Sequence, residues 1–100
     1  MTGMFIRRTT YRLKPEIDQA EFEREMRAKI RPEEIEGLIS TAHVPNEDGS
    51  WTVVAVWNSK VEAMAAIDRI RIQWDRQAGS LAEPSKTEIA GVGIWETGGA

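Results

Sequence analysis

The sequence predicts an α+β fold in which two helices cover one face of an antiparallel β-sheet. Strand-like and helix-like segments follow each other in the order strand, helix, strand, strand, helix, strand. An Asp-Gly pair at 48–49 lies between the two middle strands, and each helix starts with a capping box. Two helices that each connect strands of one antiparallel sheet give a ferredoxin-like βαββαβ plait with both helices on the same face.

The first strand is predicted at residues 4–13, which are rich in β-branched and aromatic residues and are followed by Pro15. Asp18 then provides a helix cap, with Glu21 three residues further on. Pro32 disfavours helical geometry at the residue before it, so we expect the first helix to end or restart at that point. The apolar stripe of this helix consists of Phe22, Met26 and Ile30.

The second half of the chain is predicted to form a hairpin, a longer helix and a final strand. The Asp-Gly pair closes the hairpin between the two middle strands. Ser59 and Glu62 form the capping box of the second helix, which we expect to continue to about Ala78, before Gly79. The three remaining strands are predicted at Leu38–Val44, Trp51–Trp57 and residues 87–97.

Both faces of the third and fourth strands are apolar, whereas a sheet covered on one side normally alternates apolar and polar residues. A second copy of the chain is the simplest cover for the free face, because two-fold homodimers are the commonest oligomers. We therefore expect a homodimer joined through its sheets. In the third strand one face carries Trp51, Val53, Ala55 and Trp57, and the other face carries Val54 and Val56. In the fourth strand one face carries Ile89 and Trp95, and the other face carries Ala90, Val92 and Ile94.

Composition excludes several classes of function. The 100 residues, 11.3 kDa, are expected to form one domain spanning residues 1–100. The absence of cysteine excludes disulfides and zinc–thiolate sites, and the net charge of −3 argues against nucleic acid as the main partner. The longest apolar run, Val53–Trp57, is too short to span a membrane, and the N-terminus lacks a signal-peptide pattern. We expect a cytoplasmic protein with no membrane partner.

Several stretches of the sequence are similar to those of a known family. They are EGLIST leading into the second strand, the DG turn and above all VAVWNSKVEA, in which a tryptophan ends the third strand before a serine-capped helix. With the order of elements and the length, they resemble the dimeric α/β-barrel superfamily and, within it, the antibiotic-biosynthesis monooxygenase domain. The resemblance covers nearly the whole chain. It implies homodimers whose paired sheets form a barrel, with a ligand pocket between the helices and sheet of each subunit.

Active members of that group include cofactor-independent oxygenases of anthrone-like polyketides, so the resemblance implies a planar ligand and no cofactor. Trp57 occupies the place of their pocket tryptophan. Their asparagine on the third strand falls on Val53, and their tyrosine on the second helix falls on Ala63. Their arginine late in that helix falls near Gln77, so Arg76 takes its place only with a shift of one residue.

The group also includes haem-degrading enzymes, whose functional residues have no counterparts in this sequence. Their asparagine on the first strand falls among Thr9, Thr10 and Tyr11, and their tryptophan on the second helix falls on Ala66. Their haem-ligating histidine has no equivalent, since the only histidine, His43, belongs to the second strand. We therefore do not expect haem degradation by that route.

Trp57 is the first candidate site residue, because an indole can stack on a planar ligand and donate a hydrogen bond; the alternative is a core tryptophan. Arg71 is the second, because a guanidinium on an apolar helix stripe could stabilise a developing enolate or phenolate. Its alternative is a surface ion pair with Asp68 or Asp75. The stripe consists of Ala63, Met64, Ile67, Ile70, Trp74 and Ala78, of which Met64, Ile67 and Trp74 are expected to bind the ligand.

Two strands offer further candidates. His43 could act as a general base near neutral pH, the alternative being a surface or interface histidine. With no companion ligand near it in sequence, we expect no metal site. Tyr11 and Arg7 share a face of the first strand, where they would contribute a hydroxyl and a charge to a pocket or lie in the dimer interface.

The sequence thus predicts a homodimer that binds a small hydrophobic or aromatic molecule. The leading interpretation is a cofactor-independent monooxygenase of a planar aromatic or polyketide-like substrate, in which Trp57 positions the ring and Arg71 or Arg76 balances the charge of an anion. Two alternatives stay open. One is a ligand-binding or sensing protein without turnover, which Val53 in place of asparagine favours; the other is a purely structural assembly module.

Overall fold

The computed structural model describes residues 3–96 and confirms the predicted order of elements. Within this range four strands and two α-helices follow the βαββαβ order, with short 3-10 helices at Pro32–Glu34 and Ala78–Ser80. No helix in the same range is long and apolar enough to cross a membrane. The elements are β1 (Phe5–Tyr11), α1 (Gln19–Ile30), β2 (Leu38–Pro45), β3 (Trp51–Trp57), α2 (Lys60–Arg76) and β4 (Lys86–Gly91).

The strands form an antiparallel sheet in the order β2-β3-β1-β4. Arg7 of β1 is opposite Ala55 of β3 and Ile89 of β4, and Thr9 is opposite Val53. Directly opposed residues of an antiparallel pair have their side chains on the same face. The face that packs against both helices, here called the inner face, therefore carries Phe5, Arg7, Thr9, Tyr11, Thr41, His43, Trp51, Val53, Ala55 and Trp57.

Both predicted helix caps are confirmed. The Asp18 carboxylate accepts a hydrogen bond from the Glu21 N–H at 3.0 Å, and the Ser59 hydroxyl accepts one from the Glu62 N–H at 3.2 Å. Such caps satisfy amide groups that the first turn of a helix leaves without partners. At the other end of α1, Arg31 adopts the left-handed conformation (φ 55°), so the helix ends before Pro32 as predicted.

The predicted hairpin turn joins β2 to β3 and is held by side chains. The Asp48 carboxylate accepts hydrogen bonds from the N–H of Ser50 at 2.9 Å and from its hydroxyl at 2.6 Å. These hydrogen bonds, with a smaller effect of Arg12, lower the pKa of Asp48. Gly49 takes a positive φ of 88°, which is why the turn needs glycine there.

The interior consists of two separate hydrophobic clusters on the inner face of the sheet. Each cluster combines side chains from the sheet with side chains from the helices, which confirms that both helices lie on the same face. The first cluster is centred on Phe5, Ile35, Trp57 and Ala63, and the second on Tyr11, Phe22, Met26 and Leu81.

The buried face of α2 is rotated from the predicted one. Ala63 is buried as expected, but Met64 is 42% exposed and Ala78 lies exposed beyond the end of the helix. Two glutamines, Gln73 and Gln77, are buried instead. Apolar periodicity missed them because it assigns glutamine to the solvent side of a helix.

The two buried glutamines connect the helices through hydrogen bonds. The side-chain amide of Gln73 donates to the amide oxygen of Gln77, whose own NH₂ donates to the backbone carbonyl of Phe22 at 3.5 Å. A buried amide left without partners would destabilise the fold, so these bonds make the polar pair compatible with the core. The pair thus links the C-terminal end of α2 to α1.

β4 is shorter than predicted. The strand ends at Gly91, and residues 92–96 form no strand. Gly91 is opposite the first residue of β1, and a hydrogen bond from the Val92 N–H to the Met4 carbonyl at 2.9 Å follows it. The strand therefore ends where its partner strand ends. Thr97, the last residue of the predicted strand, lies outside the described residues.

The opposite face of the sheet, here called the outer face, is partly apolar and has no helix over it. Val54 and Val56 belong to it, as predicted, because they are opposite Arg8 and Ile6 of β1. Val54 is half-buried and Val44 is 42% exposed, whereas Val56 is buried. The apolar residues of the outer face are Ile6, Ala42, Val44, Val54, Val56 and Ala90.

Candidate functional site

A cavity of about 80 Å³ lies between the helices and the inner face of the sheet. It separates the two hydrophobic clusters, since both contribute to its walls. One buried water needs roughly 10–15 Å³, so the cavity has room for several water-sized groups. Its lining consists of Arg7, Thr9, Tyr11, Phe22, Glu23, Met26, Arg27, Ile30, Pro32, Ile35, Leu38, Thr41, His43, Val53, Ala55, Trp57, Ile70 and Trp74.

Short side chains in the middle of the sheet create this space. Ala55 is opposite Arg7 of β1 and Thr41 of β2, while Val53 is opposite Thr9 of β1. The large aromatic side chains stand at the ends of the same strands and keep the helices away from this floor. The cavity therefore forms because the small side chains of Val53 and Ala55 lie together in the middle of the sheet.

Aromatic rings close both ends of the cavity. At one end Tyr11 lies 5.2 Å from both Phe22 and Trp74, measured between ring centroids, and Phe22 lies 6.0 Å from Trp74. All three pairs are tilted, an arrangement that aromatic rings favour. At the other end Trp57 is only 1% exposed. A planar ligand would meet ring surfaces at either end.

Three buried nitrogen atoms in the cavity wall have no hydrogen-bond partner among the described residues. They are Nε of Arg7, Nδ1 of His43 and Nε1 of Trp57. Burial lowers the pKa of Arg7, because desolvation disfavours the charged guanidinium. Buried polar groups are nearly always paired in folded proteins. Three unpaired nitrogens around one cavity make it the candidate functional site of the described residues.

Charged side chains of α1 form the rim of the cavity. Glu23 and Arg27 both line it, and their side chains are 3.7 Å apart as an i,i+4 ion pair. Arg27 is 65% exposed, which places this side of the cavity next to solvent. The exposed Thr41 of β2 also belongs to the lining. The rim between α1 and β2 is thus the open side.

Four of the predicted ligand-binding residues lie in the cavity wall. Trp57, Tyr11, His43 and Trp74 all line it, although they come from four different elements. The structure thus brings together residues that are as far as 63 positions apart in the chain, from Tyr11 to Trp74. Their roles in binding stay predictions.

The other four predicted site residues do not reach the cavity. Met64 is exposed, and Ile67 is half-buried outside the lining. Arg71 is 65% exposed and pairs with Asp68 at 3.0 Å, the surface alternative weighed for it, and Arg76 is also exposed. These side chains lie outside the lining because α2 turns its glutamines toward the core, and their roles in binding stay predictions.

The cavity wall also contains residues of α1 that were not predicted to belong to a site. Phe22 and Met26 of α1 were predicted as a core stripe, and they are buried, but they also line the cavity. Arg7 was predicted, with Tyr11, to contribute a charge to a pocket or to lie in the dimer interface, and it lines the cavity. Its strand position places it there, because Arg7 alternates with the buried Thr9 and Tyr11 on the inner face.

Tyr11 offers a direct test of the buried end of the cavity. Burial raises the pKa of its phenol above the ordinary value of 10.0, Glu23 adds to the rise, and the hydrogen bond from Gln19 at 2.8 Å opposes it. Because Tyr11 is the only tyrosine, the near-ultraviolet absorbance of phenolate reports on it alone. We expect a higher titration midpoint in the folded chain than in urea.

The same shift has a consequence for stability. Protonated Tyr11 is favoured in the folded state, so its contribution is complete below the unfolded pKa of about 10 and is lost as the pH rises through the folded pKa. Tyr11→Phe should remove this part of the alkaline loss of stability in urea unfolding. Equal midpoints with and without urea would show that Tyr11 is not shielded from water.

Among residues 3–96, no group of three or more histidine, cysteine, aspartate or glutamate side chains could hold a metal ion. No protein-family model and no curated protein matches the sequence. Solved structures do match, over nearly the whole chain. A candidate antibiotic biosynthesis monooxygenase from Nitrosomonas europaea is 18% identical, with a TM-score of 0.77 over 98% of this chain and 97% of that one.

A variant of SnoaB, a cofactor-independent oxygenase from Streptomyces nogalater, is 12% identical, with a TM-score of 0.75 over 93% of this chain and 96% of that one. The chain has the antibiotic biosynthesis monooxygenase-like fold. The monooxygenase ActVA-Orf6 of Streptomyces coelicolor, in complex with nanaomycin D, shares this fold at 14% identity, with a TM-score of 0.69 over 94% and 91% of the two chains. Other structures with the monooxygenase-like fold belong to proteins of unknown function.

Proposed function

We propose that the chain binds a small planar molecule in the cavity between its helices and its sheet. The observation that carries this proposal is the aromatic cavity with three unpaired nitrogen atoms in its wall. Sites for small molecules are typically concave and mostly apolar, with a few polar groups that fix the orientation of the ligand. Tyr11 and Trp74 at one end and Trp57 at the other match that description.

The proposed reaction is cofactor-independent monooxygenation of an aromatic or polyketide-like substrate. It is supported by the named oxygenases that share the fold. An activated CH₂ group loses a proton, and the resulting carbanion transfers electrons to dioxygen while a new C–O bond forms. One oxygen atom stays in the product as a carbonyl, and the other leaves as water with both hydrogens of the CH₂ group. The reductant is the substrate itself.

The cavity residues can be given roles in this reaction. Trp57 would hold the ring by packing and by its free indole N–H, and His43, with Nδ1 unpaired, would accept the proton. The apolar and aromatic walls of the cavity would limit the contact of the carbanion with water.

Trp57→Phe tests the oxygenase proposal. The change keeps an aromatic ring but removes one N–H donor, and a hydrogen bond contributes roughly 0.5–1.5 kcal/mol, so we expect dioxygen uptake with anthrone to fall up to about tenfold. Uptake is measured with an oxygen electrode. Trp95→Phe is the matched control, because Trp95 lies beyond β4 and is 47% exposed. Uptake by the unmodified chain no faster than in buffer alone would rule out this oxygenase activity.

A second candidate function is ligand binding without turnover. It is favoured by Val53 in the cavity wall, at the position where the resemblance implies an asparagine. In that case anthrone should quench tryptophan fluorescence to saturation while no dioxygen is consumed. Saturable quenching together with uptake would instead support the enzyme.

We also propose that the functional unit is a homodimer formed through the outer face of the sheet. Support comes from the apolar residues of that face, among them the half-buried Val54 and the exposed Val44, which have no helix over them. A contiguous apolar sheet surface of this kind favours association. Two-fold pairing would place both cavities on the outside of the pair, because each lies on the inner face of its own sheet.

A further inference from the structure

Arg7 brings a positive charge into the cavity without a compensating charge. It lines the cavity from β1, and no ion pair or side-chain hydrogen bond joins it to another described residue. Its neighbours across the sheet are Ala55 and Ile89, both apolar. Several other arginines of the chain have carboxylate partners, such as Arg8 with Glu88 at 3.0 Å. Arg7 is therefore placed differently from these surface arginines.

An unpaired guanidinium in an apolar wall is costly for the folded state. Arg7 is half-buried, and taking part of a charged group out of water without a partner destabilises the folded state. The burial that lowers the pKa of Arg7 reports the same desolvation. Glu23, the one carboxylate that the described residues contribute to the cavity lining, already pairs with Arg27 on the rim. No described side chain thus neutralises Arg7, and the charge is left available to a ligand.

The other unpaired nitrogens surround the same part of the cavity. Ala55 has Arg7 opposite it on β1, while Trp57 is two residues along β3 on the same face. His43 of β2 is opposite Val53, the other neighbour of Ala55 on this face. A guanidinium and an indole N–H beside a small apolar floor form a site for oxygen atoms that carry negative charge, with the proposed base His43 next to it.

We infer that the cavity selects planar ligands whose negative charge lies on an oxygen atom, and that Arg7 is the residue that selects them. This inference rests on the proposed binding function and makes it more specific. Aromatic carboxylates, phenolates and enolates share the required chemistry. Arg7 binds the charged oxygen, and the rings of Trp57 and Tyr11 bind the flat body of the ligand.

The test compares three probes of nearly the same shape and different charge: benzoate, benzamide and benzamidine. Binding is followed by NMR on the indole N–H signal of Trp57, identified by its loss in Trp57→Phe. We expect benzoate to bind about tenfold to hundredfold more tightly than neutral benzamide, because charge-assisted hydrogen bonds are about twice as strong as neutral ones. Benzamidine should not shift the signal. A nitrophenolate probe then separates phenolate from carboxylate recognition.

Arg7→Met keeps an unbranched apolar stem and removes the guanidinium with its charge. The affinity for benzoate should fall to that for benzamide, while benzamide binds as before and so shows that the cavity is intact. Arg7→Lys should keep part of the preference for benzoate. These two variants separate the charge from a purely structural role of the arginine.

Each outcome has a distinct meaning. If benzamide binds as tightly as benzoate, the cavity binds ligands but Arg7 does not select them, and the inference is overturned. If Arg7→Met keeps the preference, another group supplies the charge, which overturns it as well. If none of the aromatic probes shifts the Trp57 signal, the proposed ligand site itself fails.

Discussion

Replacing Trp57 by alanine should lower the free energy of unfolding by about 3–5 kcal/mol, the usual cost of removing a large aromatic side chain from a core. Trp57 is 1% exposed and packs in the first hydrophobic cluster, where it joins β3 to α2 through Ala63. Small domains are stable by only about 5–15 kcal/mol, so the variant should be close to unfolding. Urea titration followed by far-ultraviolet circular dichroism measures the change.

The matched control for this variant is Trp95→Ala. Trp95 is 47% exposed and lies after β4, so we expect a change of roughly 0.5 kcal/mol or less. A loss below about 1 kcal/mol for Trp57→Ala would contradict the described packing. Because the indole N–H of Trp57 has no partner among the described residues, the effect should come from packing and not from a lost hydrogen bond.

Replacing Val54 by lysine should convert the proposed homodimer into a monomer. Val54 is half-buried in the middle of β3 on the outer face, opposite Arg8 of β1 and Ala42 of β2. In a two-fold interface the substitution occurs twice, and each buried, unpaired ammonium costs several kcal/mol. We expect dimer affinity to fall by at least about a hundredfold. Sedimentation equilibrium across a series of protein concentrations measures it.

Val61→Lys provides the control for the dimer prediction. Val61 is 78% exposed on α2, on the other side of the molecule from the outer face, so its replacement should leave association unchanged. A monomeric parent chain at micromolar concentration would overturn the homodimer proposal. An unchanged dimer in the Val54 variant would place the interface elsewhere.

Local signals in the sequence were sufficient to predict most of the fold. The caps at Asp18 and Ser59 and the turn at Gly49 depend on residues next to each other in the chain, so their physical effects can be recognised without the structure. The exception is the end of β4. A strand ends where its partner strand ends, and the register between β1 and β4 cannot be predicted from the sequence of either strand alone.

The candidate site was only partly predictable, because a cavity depends on which side chains meet. Tyr11 and Trp57 were identified from their residue types and strand positions, and both line the cavity. Apolar periodicity put Arg71 within the helix stripe because it ignored the buried amides of Gln73 and Gln77, whereas Arg71 forms the surface pair with Asp68 that was its alternative. Those amides are tolerated in the core only through a carbonyl of α1, a contact between distant parts of the chain that no local pattern contains.

Because of the order of strands in the sheet, one edge of β1 stays without a partner strand while the chain is being synthesised. β1 is synthesised first, but its two neighbours are β3 and β4, and about 75 residues separate Tyr11 from Lys86. At a synthesis rate of about 5–20 residues per second, one edge of β1 stays unpaired for roughly 4–15 s before β4 has been made. Arg7 and Arg8 lie in the middle of this strand, and charges at such positions hinder pairing with a neighbouring nascent chain.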